Sequence, residues 1–210
     1  MIHVDQQKEP ADFDRKCRKR GAAWIQSHQP PIPRPDGKSY WGHFHEDVEA
    51  EFHSRCGYYA MYIHDGEIDH FIPWDQSPQL GFEWNNFRFI DSRLNKKKLA
   101  RTLLDPFIVQ NDWFEIEIPS LELKITSVLT DPSLRQSAEN TVEWLKLRNG
   151  RRVLQMRARA YEDYRRYRDM DKLEMMAPLV ARAVSDWLAS YPGGELPDCS
   201  RLLSPHLRHP

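Results

Sequence analysis

Asp69 and His70 stand side by side in the segment "EIDHFIPWDQSPQLGFEWNNFRFIDSRLNKKK", Glu67 to Lys98, and Asn86 and Asn95 follow nine positions apart. A carboxylate and an amide oxygen suit a hard divalent ion, Mg²⁺ or Mn²⁺, which keeps water and completes its shell with substrate phosphate oxygens. Neighbouring strand residues point to opposite faces, so Asp69 and His70 cannot both serve one ion from a regular strand. His70 is then left to face a water molecule across a scissile phosphate, as a general base whose ordinary titration range suits the task. Asn86 carries the amide needed to hold the intervening loop by bonding its backbone, which would fix the imidazole.

Local signals indicate the elements that must bring these groups together. "EIDHFIP" reads as a strand closed by Pro73, the return strand of a hairpin whose first strand is "GYYAMYI" and whose turn is "HDG", His64 to Gly66. "WDQSPQLGFEW" reads as a loop, and "NFRFI", Asn86 to Ile90, as a short alternating strand. Asp91 is placed to cap a helix running through "SRLNKKKLARTLL" until Pro106 stops it, with Asn95 in its first turns. Lys96, Lys97, Lys98 and Arg101 share that helix with Asn95 and are the cations best placed for phosphates.

The 210-residue chain is long enough to bury a substantial core. Its net charge of −1 averages over uneven segments. Ser92–Arg101 holds five basic residues and no acid, and Arg148–Asp169 holds eight arginines against three acids. Such segments draw a polyanion to one face or form solvated helix faces, and composition leaves both open. Cys17, Cys56 and Cys199 lie far apart without a CxxC, which suits a reducing cytoplasm. No apolar run is long enough to cross a bilayer and "MIHVDQQKEP" lacks a secretory signal, so no membrane partner is expected and the location is expected to be cytoplasmic.

The triplet Asp69-His70, Asn86 and Asn95, with Asn-x-x-Lys at Asn95 and Lys98, resembles the HNH, or ββα-metal, nucleases. The flanks "IDHFIP", "FEWNNFR" and "DPFIVQNDWFEIEI" are similar to the bacterial HNH group that includes nucleases of Septu and retron-type anti-phage systems. The resemblance covers roughly residues 50–120. It implies Asp69 and Asn95 as metal ligands, His70 as general base, Asn86 as the residue orienting it, and Lys98 near the phosphate. It implies DNA as partner and an antiviral role. Many members hold a structural zinc with two CxxC pairs. Here Cys56 alone remains of the first, opposite Tyr59, and Asp91 and Leu94 occupy the second, so zinc is not expected.

The expected fold class is α+β: an N-terminal arm and Pro-rich segment over 1–44, a ββα-metal core with a second hairpin over 45–130, a C-terminal helical portion over 131–192, and a flexible tail over 193–210. The second hairpin is read from "DWFEIEIPSLELKITSVLT". The helices are read from "LRQSAENTVEWLKLRN", "RRVLQMRARAYEDYRRYRD" and "KLEMMAPLVARAVSDWLASY", the first ending at Asn149-Gly150. Val153, Met156, Ala160, Tyr164 and Tyr167 form the expected buried or partner-facing stripe of the second helix. The functional expectation is an HNH endonuclease hydrolysing phosphodiester bonds in DNA. Two alternatives stand beside it: an inactive HNH scaffold binding nucleic acid or an ATPase partner, and a nuclease toxin acting on host DNA or RNA. The C-terminal helices offer a surface for an ATPase or for self-association. His43 and His45 lack an evident third metal ligand and are expected to be exposed at a helix entry.

Overall fold

In the computed structural model, which describes residues 1–99, 101 and 103–204, the elements are α1 (Lys19–Gln26), α2 (His45–Glu51), β1 (Gly66–His70), β2 (Phe87–Asp91), α3 (Ser92–Lys98), β3 (Phe114–Glu117), β4 (Glu122–Ile125), α4 (Pro132–Trp144), α5 (Arg151–Tyr167), α6 (Met170–Met176) and α7 (Pro178–Ser190). Helices thus accompany two separate two-stranded antiparallel sheets, β1–β2 and β3–β4. The chain divides into two units: Val4–Gly57 with Ile63–Ile108, and Met1–His3 with Tyr58–Tyr62 and Val109–Pro210. The second hairpin therefore groups with the C-terminal helices, not with the segment that precedes it.

In the first of these units, β1 pairs with β2 in the register Gly66↔Asp91 to His70↔Phe87. The expected pairing of β1 with Gly57–Ile63 does not form. That stretch is buried at Tyr58, Tyr59, Ala60 and Met61 in succession and again at Ile63, and Ala60 takes a positive φ of 55°. Burial on both sides of a turning segment has no use for the two-residue alternation of a strand, so the β-forming composition there serves packing. All five residues of β2 are buried, and an aromatic cluster forms around Phe13, whose ring lies 5.0 Å from Phe44, 5.4 Å from Trp84 and 5.8 Å from Phe87.

Asp91 caps α3 as expected, its carboxylate accepting from the Arg93 amide at 2.9 Å. The helix is shorter than the sequence suggests. It ends at Lys98, and Leu99 turns to φ 53°, ψ −142°. Arg101 accordingly lies beyond α3, and Ala100 and Thr102 of the expected helix lie outside the described residues.

In the other unit, β3 and β4 pair from Phe114↔Ile125 to Glu117↔Glu122, and α7 packs on β3. Asp131 caps α4 through the Ser133 and Leu134 amides. Gly150 precedes α5 with φ −55°, while Lys146 supplies the left-handed residue after α4. The buried stripe of α5 is Val153, Leu154, Arg157, Ala158, Tyr161 and Tyr164, displaced from the expected series, and Tyr167 is exposed. Arg157 points inward: its guanidinium donates to the carbonyls of Leu121, Leu147 and Arg148 at 2.7–2.9 Å. The single helix expected over Lys172–Tyr191 is two, α6 and α7, because Pro178 lacks the amide to continue one and is favoured in a first turn. Residues 193–204 are no loose tail. Leu196, Cys199 and Leu202 are buried, and the Cys199 amide donates to Glu162 on α5 at 2.8 Å. The expectation for 205–210 lies outside the described residues.

Candidate active site

The succession β1, β2, α3 brings the Asp-His pair and both asparagines into one neighbourhood, with α3 lying against β1. Residues two apart on a strand share a face, as do residues three apart on a helix. Glu67 and Asp69 on β1 thus meet Asn95 and Lys98 on α3. Asn95 Nδ2 donates to Glu67 Oε2 at 3.0 Å, and Lys98 Nζ donates to Asp69 Oδ2 at 2.7 Å.

Lys98 overturns the expectation of a phosphate contact. It is 1 % exposed, and its ammonium also donates to the carbonyls of His70 at 2.6 Å and Phe71 at 3.2 Å. Three donors meet three acceptors at the end of β1, so Lys98 works as an internal brace. Burial pushes the Asp69 carboxyl up and the Lys98 ammonium down, and the charge of each partner opposes the other's shift. Lys96 and Lys97, by contrast, are exposed on α3.

Asn86 holds the loop in the way its amide allows. Its backbone carbonyl accepts from Phe71 at 2.8 Å, which extends the β1–β2 pairing by one step. Its side chain then imitates a peptide group: Oδ1 accepts from the Ile72 amide at 2.7 Å and Nδ2 donates to the Ile72 carbonyl at 3.1 Å. The remaining Nδ2 hydrogen goes to Leu80 O at 2.9 Å. Leu80 precedes Gly81, whose carbonyl accepts from His70 Nε2 at 2.9 Å. Asn86 therefore orients His70 at one remove, through the Leu80–Gly81 peptide. Gly81 has no room for a side chain, since a Cβ there would lie 2.4 Å from the Trp74 ring.

His70 is 4 % exposed, with the Trp41 ring edge-on at a centroid distance of 4.7 Å and Phe87 at 5.5 Å. Its partners assign the tautomer. Nε2 carries the proton given to Gly81 O, and Nδ1 is the acceptor, receiving Arg34 Nη2 at 3.2 Å. Burial lowers its pKa to about 4, and the Arg34 and Lys98 charges act in the same direction. The imidazole is therefore neutral at physiological pH, with one lone pair to offer, but it is a weaker base than the ordinary titration range expected from the sequence.

Asp69 Oδ1 and Asn95 Oδ1 are side-chain oxygens without a hydrogen-bond partner among the described residues. Two such donors fit a hard divalent ion that keeps most of its water. The ammonium on Asp69 Oδ2 opposes a second positive charge on the same carboxylate and weakens that fit. No group of three or more His, Cys, Asp or Glu side chains suited to a metal exists among the described residues, so the rest of a shell would fall to water and substrate.

Other aromatic and histidine side chains have structural duties. Trp74 and Trp84 are buried and donate their indole hydrogens to Ile32 O and Gln7 O, so neither offers a free stacking face. His45 Nε2 bonds Gly66 O at 2.8 Å, at the start of β1.

Two participants had escaped the reading of motifs. Arg88, 2 % exposed, grips Asp105 with two nitrogens at 2.6–2.7 Å between the rings of Phe71 and Phe107. Arg34 is the lone cation of the run "PPIPRP", a charge on a stiff segment, and that was the available signal. No helix among the described residues is long and apolar enough to cross a membrane. No family model, curated protein or solved structure matches the chain.

Proposed function

We propose that the chain is a divalent-metal-dependent endonuclease of the HNH kind that hydrolyses phosphodiester bonds in DNA. The observation that carries this reading is the state of His70: a neutral imidazole beside Asp69, locked as the Nε2–H tautomer by Gly81 O, in a loop clamped by Asn86. A base with a pre-set tautomer spends no reorganisation on orientation when it takes a proton from water at Nδ1. The Gly81 carbonyl then stabilises the imidazolium that forms. Asp69 and Asn95 would hold the metal, whose Lewis acidity would stabilise charge on the phosphoryl oxygens. Lys96 and Lys97, exposed on the same helix, would meet flanking phosphates.

A second reading, a DNA-binding scaffold without catalysis, is favoured by one feature: Asp69 already carries an internal counter-charge in Lys98. Plasmid nicking by wild type and His70→Ala with Mg²⁺, Mn²⁺ or EDTA separates the two. The nuclease reading expects metal-dependent cutting that the variant abolishes. DNA binding with no cutting by either protein would leave the scaffold.

A further inference from the structure

The proline arm delivers a cation to the one open position of His70. Trp74 Nε1 donates to Ile32 O at 3.0 Å and Trp24 Nε1 donates to Pro33 O at 2.9 Å, so two indoles pin the two carbonyls preceding Arg34. The following residue, Pro35, is buried. Arg34 itself is exposed, yet its guanidinium turns back towards the protein, 5.5 Å from the Trp41 ring centroid and 3.2 Å from His70 Nδ1. It has no carboxylate partner among the described residues, and the nearest acid along the arm, Asp36, is engaged with the Lys38 amide and the Ser39 hydroxyl. A guanidinium held on a neutral ring nitrogen is under-used, because an anionic oxygen is a much stronger acceptor.

We propose that Arg34 is a phosphate-binding residue that rests on His70 Nδ1 and transfers to a substrate phosphodiester oxygen when DNA arrives. This rests on the nuclease reading of the same site. A donor on Nδ1 blocks the only lone pair able to take a proton from water, so the base works only after Arg34 has left it. The substrate phosphate supplies the better acceptor, and the transfer frees Nδ1 beside the phosphate now held. The planar fork of arginine reaches two phosphate oxygens at once, which lysine cannot reproduce.

The test measures binding of a short fluorescein-labelled DNA duplex to full-length wild type, Arg34→Ala and Arg34→Lys in EDTA, by anisotropy between about 50 and 200 mM salt. Cleavage kinetics in Mg²⁺ run in parallel with His70→Ala as control. Arg34→Ala is expected to bind about tenfold or more weakly, with the salt slope reduced by about 1. Arg34→Lys should keep the slope and recover part of the affinity, and KM should follow the same order. Thermal unfolding of all variants checks that the exposed position has left the fold intact. Unchanged affinity and slope in Arg34→Ala, with wild type cutting and His70→Ala inactive, would overturn the Arg34 assignment and leave the nuclease standing. A changed slope with no cutting by any protein would overturn the nuclease and keep Arg34 as a phosphate contact. Absence of DNA binding by wild type would remove both.

Discussion

Lys98→Met removes the internal ammonium while keeping an unbranched apolar stem in its place. The lost interactions are one ion pair at 2.7 Å and two carbonyl contacts at 2.6 and 3.2 Å, around a side chain that is 1 % exposed. Removing one member of a buried pair strands its partner, here Asp69, at a cost of about 3–5 kcal/mol. For a chain of this size each kcal/mol moves Tm by about 2–4 °C, so the midpoint should fall by roughly 6–20 °C. The loss has a pH signature. Without Lys98, burial still raises the Asp69 carboxyl in the folded state, opposed only by the more distant Arg88 and Arg34 charges. A carboxyl raised by folding contributes stability below its unfolded pKa and loses it as pH rises through the folded pKa. The deficit of Lys98→Met is therefore largest near neutrality and shrinks in acid. Asp69→Asn combined with Lys98→Met removes both charges of the pair and should recover much of the loss. Thermal unfolding reads the midpoint, and urea unfolding in EDTA at two pH values reads the rest. A single variant within about 1 kcal/mol of wild type, or a double variant no better than the single, would refute the reasoning.

Three further outcomes follow from particular contacts. Asn86→Asp keeps the acceptor for the Ile72 amide but turns an oxygen towards the carbonyls of Ile72 and Leu80; a loss of about 2–4 kcal/mol is expected, with faster hydrogen exchange at Ile72. Burial lifts the Glu51 carboxyl from 4.5 to about 7 while the Gln7 amide donates to it at 2.7 Å. Stability from this raised group is lost as pH climbs from about 4.5 to about 7, so Glu51→Gln should exceed wild type by about 1–3 kcal/mol at pH 8 in urea unfolding, with little difference near pH 5. Arg157→Met strands three carbonyls and should cost about 2–4 kcal/mol, whereas Arg159→Glu on the exposed side of α5 should stay within about 0.5 kcal/mol in the same assay.

The sequence by itself determined those features that are settled within a few residues. Asp91 caps α3 because a carboxylate two residues before an amide reaches it in any context. Phe87–Asp91 and Phe114–Glu117 are strands where a strand pattern was legible, and Asn86, rather than the exposed Asn85, has the loop-holding role its spacing suggested. Pro178 marked the break between α6 and α7 in plain letters, and only an over-long reading of the helical pattern passed across it.

The tertiary structure alone decided what meets what. β1 had a plausible neighbour in the sequence on each side, and it pairs with Phe87–Asp91 because that strand offers a ladder while Gly57–Ile63 turns, buried at all but Tyr62. Lys98 reads as one of three consecutive surface lysines. It turns inward because its position on α3 faces Asp69 and two strand-end carbonyls that only the packed hairpin assembles. Arg34 stands 36 residues from His70 along the chain, and two tryptophans from different segments bring it there. Capping and alternation are local energies and can be read from neighbours. The partner of a charge depends on which surfaces are buried together, and that is a property of the whole folded chain.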